Sequence, residues 1–157
     1  MKSYLHIRKS TAAIAAGALI TVAMNLLLGA TSHAQGTTTT APATVWDGIY
    51  TAAQAARGKA FYTQTCSPCH GDEPVGTANA PSLSGTDFMK DFVDSSVFDV
   101  WNLIVTTMPA SNPGSVTPPQ AADVFAYLSE FNKWPAGEKE LPPDADALKK
   151  IKIVEKK

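Results

Sequence analysis

Cysteine and histidine are scarce in this 157-residue chain, which has two cysteines and three histidines. A structural zinc site takes about four ligands, and the chain has no further cysteine with which to build one. Basic residues are not in excess either, since 13 lysines and arginines stand against 14 acidic residues, for a formal net charge of −1. Nucleic-acid binding would require a basic face or stripe. We therefore expect no nucleic-acid partner.

Long apolar runs are absent except near the N-terminus. Residues 11–30 are mostly apolar, three basic residues precede them, and Ser32-His33-Ala34 resembles the small-residue cleavage site of a secretory signal. We therefore predict a signal peptide over residues 1–34 and a periplasmic location for the remainder. The competing interpretation is an uncleaved membrane anchor, because the apolar stretch is about as long as a bilayer span.

Removing residues 1–34 changes the inventory of the chain. His70 becomes its only histidine, and the formal net charge falls from −1 to −4 because the segment carries three basic residues and no acidic one. The mature chain is thus mildly acidic. Association with a membrane is expected only if the N-terminal segment is retained.

Three further regions follow the predicted signal peptide. Residues 35–44 are rich in threonine and alanine and are predicted to be a low-complexity linker. Residues 45–135 are dense in apolar and aromatic residues and form the predicted domain. In residues 136–157 acidic residues precede lysines, which is typical of a solvated extension, although Leu148, Ile151 and Ile153 could dock it on the domain.

Both cysteines lie in the sequence Cys66-Ser67-Pro68-Cys69-His70. The pattern C-x-x-C-H is typical of covalent attachment of a c-type haem. Positions i, i+3 and i+4 share one face of a helical turn, so both cysteines can bond the haem vinyl groups while His70 points at the iron. The alternatives are a thioredoxin-like thiol pair, half of a zinc site and a disulfide, but no βαβ pattern accompanies the motif. We predict one covalent haem c, bound by Cys66, Cys69 and His70.

Helices are predicted on both sides of this motif. Thr51 to Gln54 resembles a capping box ahead of an alanine-rich helix that reaches almost to Cys66. Gly58 would be costly in that helix unless another helix crosses closely there. Further helices are predicted over residues 87–93, from a cap at Ser95-Ser96 through an apolar stripe ending at Val105, and from Thr117 through Phe131, closed by Pro135.

The loop between the motif and the next helix contains Pro81 and Leu83. A haem-ligating histidine usually donates its second ring N–H to a fixed acceptor, and this loop could supply a carbonyl group to His70. It could equally be an ordinary surface connection. Pro81 and Leu83 are our candidate cofactor-binding residues in this loop.

Methionine is the usual second axial ligand where a second histidine is lacking. Outside the predicted signal peptide only Met89 and Met108 remain. Met89 has apolar neighbours and is expected to fill the core. Met108 stands at a helix end, before a loop rich in proline and glycine that could fold over the haem. We therefore predict His70 and Met108 as the iron ligands.

These features resemble those of small monohaem class I cytochromes c. The likeness spans about residues 52–131 and rests on Gly58, Tyr62, Cys66 to His70, Pro81 to Gly85, Thr107 to Pro109 and Asp123 to Leu128. It implies an all-α class I cytochrome c fold, with about four to five helices wrapped around one haem and with the first and last helices crossing. It also implies that Pro81 presents its carbonyl group to His70.

The predicted function is single-electron transfer by a carrier that is not an enzyme in its own right. Two alternatives remain open: a five-coordinate haem enzyme or gas sensor in which Met108 does not ligate, and a tethered cytochrome subunit of an oxidoreductase complex. A narrower likeness involves residues 45–50, Met108-Pro109 with residues 112–115, and Leu141 to Asp144, which resemble cytochromes found beside quinoprotein alcohol dehydrogenases. It implies a periplasmic quinoprotein dehydrogenase as donor and an oxidase or another cytochrome as acceptor.

Overall fold

The computed structural model describes residues 43–156, so the predicted signal peptide lies outside the described residues. The described part contains six helices and two very short strands: β1 (Ala43–Thr44), α1 (Ala52–Thr65), α2 (Ser67–His70), α3 (Gly85–Phe92), α4 (Val97–Thr107), α5 (Pro118–Phe131), α6 (Ala145–Leu148) and β2 (Ile151–Lys152). The predicted all-α fold is confirmed. The helices outnumber the four to five expected because the C-x-x-C-H motif and the tail each form a single helical turn.

Side-chain caps fix where the longer helices begin. At α4 the Ser96 N–H and hydroxyl donate to the Asp99 carboxylate at 2.8 and 2.7 Å, and these bonds lower the pKa of Asp99. At α5 the Thr117 N–H and hydroxyl donate to Gln120 Oε1 at 2.9 and 2.8 Å. These two predicted starts are confirmed. None of the helices in residues 43–156 is long and apolar enough to cross a membrane.

Helices α1 and α5 cross in close contact at Gly58. A Cβ atom at Gly58 would overlap the Asp123 carbonyl group and lie 3.1 Å from the Tyr127 Cβ. One turn further along, the rings of Tyr62 and Tyr127 pack with their centroids 5.1 Å apart. The predicted crossing of the first and last long helices at Gly58 and Tyr62 is therefore confirmed, and the missing side chain is what allows the close approach.

The C-terminal tail packs on the domain, so its description as a solvated extension does not fit the structure. Leu141, Leu148 and Ile153 are fully buried in the core cluster. Strand β2 pairs in parallel with β1, which includes Ala43 and Thr44 of the predicted linker. The tail therefore docks on the domain, as its apolar residues allowed. Burying these residues stabilises the docked tail, while the lysines keep their charged groups near the surface.

Gln54 fastens the tail to α1. Its side-chain Nε2 donates to the Leu141 carbonyl at 3.0 Å, and the Leu141 N–H donates to its Oε1 at 2.8 Å. Gln54 is buried, and its side chain is therefore not available for the predicted capping box with Thr51. Thr51 caps α1 alone, by accepting from the Gln54 N–H at 3.1 Å.

We expect Gln54→Ala to lower the free energy of unfolding by about 3 kcal/mol, because it leaves the buried N–H and carbonyl of Leu141 without partners. Gln64→Ala in the same helix is the matched control, since Gln64 is exposed and should change stability by less than about 0.5 kcal/mol. Denaturant unfolding of the haem-loaded protein measures both values. Equal losses for the two variants would contradict the role given to Gln54.

Candidate haem site

The C-x-x-C-H motif forms its own helical turn directly after α1. Cys66 ends α1 by donating its N–H to the Tyr62 carbonyl at 2.8 Å, and the His70 N–H donates to the Cys66 carbonyl at 3.0 Å. Gly71 then leaves the turn with φ of 89°, a conformation that residues with a Cβ rarely adopt. The five residues from Cys66 to His70 thus carry two thiol groups and one imidazole.

Tyr62 ties this turn to the crossing of α1 and α5. Its hydroxyl donates to the Gly71 carbonyl at 2.9 Å, while its ring packs on Tyr127. Burial raises the pKa of Tyr62, so the hydroxyl stays protonated and remains a donor at neutral pH. The position of the turn is therefore coupled to the packing of the two longest helices.

His70 is buried and already has one ring nitrogen engaged. The residue is 8% exposed, and its Nδ1 lies 2.9 Å from the Pro81 carbonyl oxygen. A carbonyl oxygen can only accept, so Nδ1 must carry the proton. This tautomer leaves the lone pair of Nε2 free for a metal ion.

A network of hydrogen bonds holds the loop that supplies the Pro81 carbonyl. The Leu83 N–H and the Ser84 hydroxyl both donate to the Pro74 carbonyl, at 3.0 and 2.9 Å. Asn132, at the end of α5, donates to the Leu83 carbonyl at 3.1 Å and accepts from the Gly85 N–H at 2.9 Å. Asn132 was not among the predicted site residues: asparagine after a helix indicates a cap, but nothing local indicates the loop that it holds.

A cavity of about 340 Å³ brings all six predicted cofactor-binding residues together. Its lining includes Cys66, Cys69, His70, Pro81, Leu83 and Met108. Its walls are mainly apolar and come from α3, α4, α5 and the loops between them, through Phe88, Phe92, Val100, Leu103, Ile104, Val116, Val124 and Leu128. Residues far apart in sequence therefore enclose one apolar space beside the attachment turn.

The two methionines of the described residues differ in their surroundings. Met108 follows the last residue of α4, lines the cavity and is 36% exposed. Met89 lies in α3, packs against the hydrophobic core and is not among the cavity residues. Only Met108 thus shares the cavity with His70.

The cavity and its donor groups fit a covalently bound haem. The two thiols can form thioether bonds, the Nε2 lone pair of His70 can bind iron, and the apolar walls suit a porphyrin. Burial raises the pKa of Cys66 to about 11, so its sulfur is a neutral thiol at neutral pH. Within residues 43–156 no group of three or more histidine, cysteine or acidic side chains could hold a metal ion.

The match to a family model agrees with this chemistry. Residues 53–128 match the family described as cytochrome c oxidase, cbb3-type, subunit III. Among solved structures, the sulfane dehydrogenase SoxCD from Paracoccus pantotrophus matches with 19% identity and a TM-score of 0.42 over 57% of this chain and 53% of that chain. This chain thus spans about half the length of the SoxCD chain that it matches. No curated protein matches it. Taken with the attachment motif and the all-α fold, the match over residues 53–128 identifies a class I cytochrome c domain in this chain, the kind of domain that carries a covalent c-type haem for electron transfer.

Proposed function

We propose that this cytochrome is a periplasmic single-electron carrier whose one haem has His70 and Met108 as axial ligands. The observation that carries the proposal is that His70 and Met108 line the same cavity, whereas Met89 packs against the core and does not line the cavity. Two protein ligands leave no open position on the iron for a substrate, which favours a carrier over an enzyme. A thioether ligand also raises the reduction potential relative to a second imidazole.

The bound haem supplies the redox chemistry, because its iron alternates between the ferrous and ferric states. The residues of the chain hold and shield it. Cys66 and Cys69 would fix its position, the Pro81 carbonyl orients the His70 ring by accepting from Nδ1, and the apolar walls would keep water away from the iron.

The alternative of a cytochrome subunit in an oxidoreductase complex has one specific support. The description of the matched family names an oxidase subunit. Membrane fractionation and purification under mild conditions separate the two proposals, because a carrier is recovered alone in the soluble fraction. Stable recovery with a second, redox-active polypeptide would favour the subunit.

We expect the mature chain to retain the mass of one haem after denaturation and acid-acetone extraction, because two thioether bonds from Cys66 and Cys69 are covalent. Mass spectrometry of the extracted protein measures this directly. Replacing both cysteines with alanine should release the haem completely. A wild-type chain without the haem mass, or with the mass of two, would contradict the proposed single covalent haem.

We expect a substrate-reduced periplasmic quinoprotein dehydrogenase to reduce the oxidised cytochrome rapidly, and the rate to fall as salt is added. The reason is the mature net charge of −4, together with the exposed Asp91 at the haem cavity, which would favour a basic docking patch on the donor. In stopped flow at low salt, Asp91→Asn should slow reduction about twofold.

Glu138→Gln is the matched control, because it removes the same charge from an exposed residue that does not line the haem cavity. It should slow reduction less than Asp91→Asn does. Negligible electron transfer from the dehydrogenases of the same organism would remove this donor. Turnover of a substrate by the isolated cytochrome would overturn the carrier proposal itself.

An oxidase or another cytochrome is the proposed acceptor. Stopped-flow oxidation of the reduced cytochrome by each candidate tests it.

A further inference from the structure

We propose that Thr77 is a positioning residue that holds the hydrogen bond between His70 and Pro81 and thereby tunes the haem iron. The inference rests on the proposed binding of iron by His70 and assigns a role to a residue outside the attachment motif. Thr77 lies in the loop between α2 and α3, and nothing in its local sequence distinguishes it from an ordinary loop threonine.

Two hydrogen bonds join His70 to the loop that follows it. His70 Nδ1 donates to the Pro81 carbonyl at 2.9 Å, and the Gly76 N–H donates to the His70 carbonyl at 3.2 Å. Thr77 adds two more bonds. Its hydroxyl donates to the Cys69 carbonyl, and its N–H donates to the Ala80 carbonyl at 2.9 Å.

Both hydrogen-bond acceptors of Thr77 belong to residues that immediately precede the partners of the ring hydrogen bond, His70 and Pro81. Cys69 precedes the ligand His70, and Ala80 precedes the acceptor Pro81, so Thr77 bridges the two sides of the His70 to Pro81 bond. The hydroxyl of Thr77 also accepts from the Asn79 N–H at 3.1 Å. Since a hydroxyl has one proton to donate, that proton is committed to Cys69.

Pro81 has no N–H with which to anchor itself, so the position of its carbonyl group depends on its neighbours. Without the Thr77 hydroxyl, the loop loses one of the bonds that tie it to the attachment turn, so the Pro81 carbonyl is held less firmly and the hydrogen bond from His70 weakens. A weaker bond makes the imidazole a poorer donor to iron. The ferric state is then less stabilised, and the reduction potential rises.

The experiment compares Thr77→Val, Thr77→Ser and Thr63→Val in the haem-loaded protein. Valine keeps the shape of threonine and removes the hydroxyl, whereas serine keeps the hydroxyl. Thr63 is a matched control, because its hydroxyl donates to the Lys59 carbonyl at 2.9 Å from an exposed position in α1. Two quantities are measured: the exchange rate of the His70 Nδ1 proton by NMR, and the reduction potential by redox titration.

We expect Thr77→Val to exchange the His70 ring proton about fivefold faster, the effect of losing about 1 kcal/mol of hydrogen bonding, and to have a higher potential. Thr77→Ser and Thr63→Val should match the wild type in both measurements. A Thr77→Val protein that matches the wild type would overturn the proposal. So would a Thr77→Ser protein as altered as Thr77→Val, or an equal acceleration of backbone amides throughout α1 and α5.

Failure of the proposed binding of iron by His70 would be visible in the wild-type protein. If the unsubstituted protein has no haem-shifted His70 ring proton, the proposed ligand is wrong and the role of Thr77 is overturned with it. A normal ring proton that is insensitive to Thr77→Val overturns the role of Thr77 alone.

Discussion

The Met108→Ala protein is expected to lose the weak far-red sulfur-to-iron absorption band of the oxidised state completely and to bind carbon monoxide in the reduced state. Met108 directly follows α4 and lines the haem cavity with His70, and alanine has no sulfur to bind iron. The vacated axial position is then open to a diatomic gas. The reduction potential should fall at the same time, because thioether ligation raises it.

Met89→Leu is the control for this experiment. Met89 packs against the core outside the haem cavity, and a change from methionine to leucine nearly conserves volume. This variant should keep the far-red band and remain closed to carbon monoxide. The reverse pattern would transfer the axial role to Met89, and carbon monoxide binding by the wild type would favour the five-coordinate enzyme or sensor.

Adding one methyl group at Gly58 is expected to destabilise the haem-loaded protein by about 3 kcal/mol. In an isolated helix, Gly→Ala would be favourable by about 1 kcal/mol. Here the new Cβ would overlap the Asp123 carbonyl group of α5, which is backbone and cannot rotate aside, so the two helices must separate. Overpacking of this kind costs about 1–3 kcal/mol or more, and separation also disturbs the packing of Tyr62 on Tyr127.

Ala56→Gly, two residues away in α1, provides the opposite change. Ala56 is exposed, so its replacement should cost only the helix propensity of alanine, about 1 kcal/mol. Guanidinium unfolding should therefore give a lower free energy of unfolding for Gly58→Ala than for Ala56→Gly, although helix propensity alone predicts the reverse order. If Gly58→Ala were the more stable of the two, the tight crossing at Gly58 would be refuted.

Features that depend on neighbours in sequence were predicted correctly. The predicted helix starts at Ser96 and Thr117 are found in the structure, because each cap joins residues only three positions apart, Ser96 with Asp99 and Thr117 with Gln120. The same logic failed at Gln54. That side chain has a choice between its own helix end and Leu141, which is 87 residues away, and no local pattern reveals the distant partner.

The tail shows a similar limit. Its charged residues made a solvated extension the simplest interpretation, while its few apolar residues allowed docking. The balance depends on whether the domain offers a surface that buries Leu148 and Ile153, and the sequence of the tail contains no information about that surface.

The sequence by itself determined the chemistry proposed for this protein, because the prediction that haem attaches at Cys66, Cys69 and His70 depends on spacing within one helical turn. It also determined the close crossing at Gly58, since a glycine inside a helix indicates a contact. Only the tertiary structure decided which methionine shares the cavity with His70, and which loop brings Thr77 and Pro81 to the attachment turn. Those relations join residues from separate elements, and they exist only after the helices have packed.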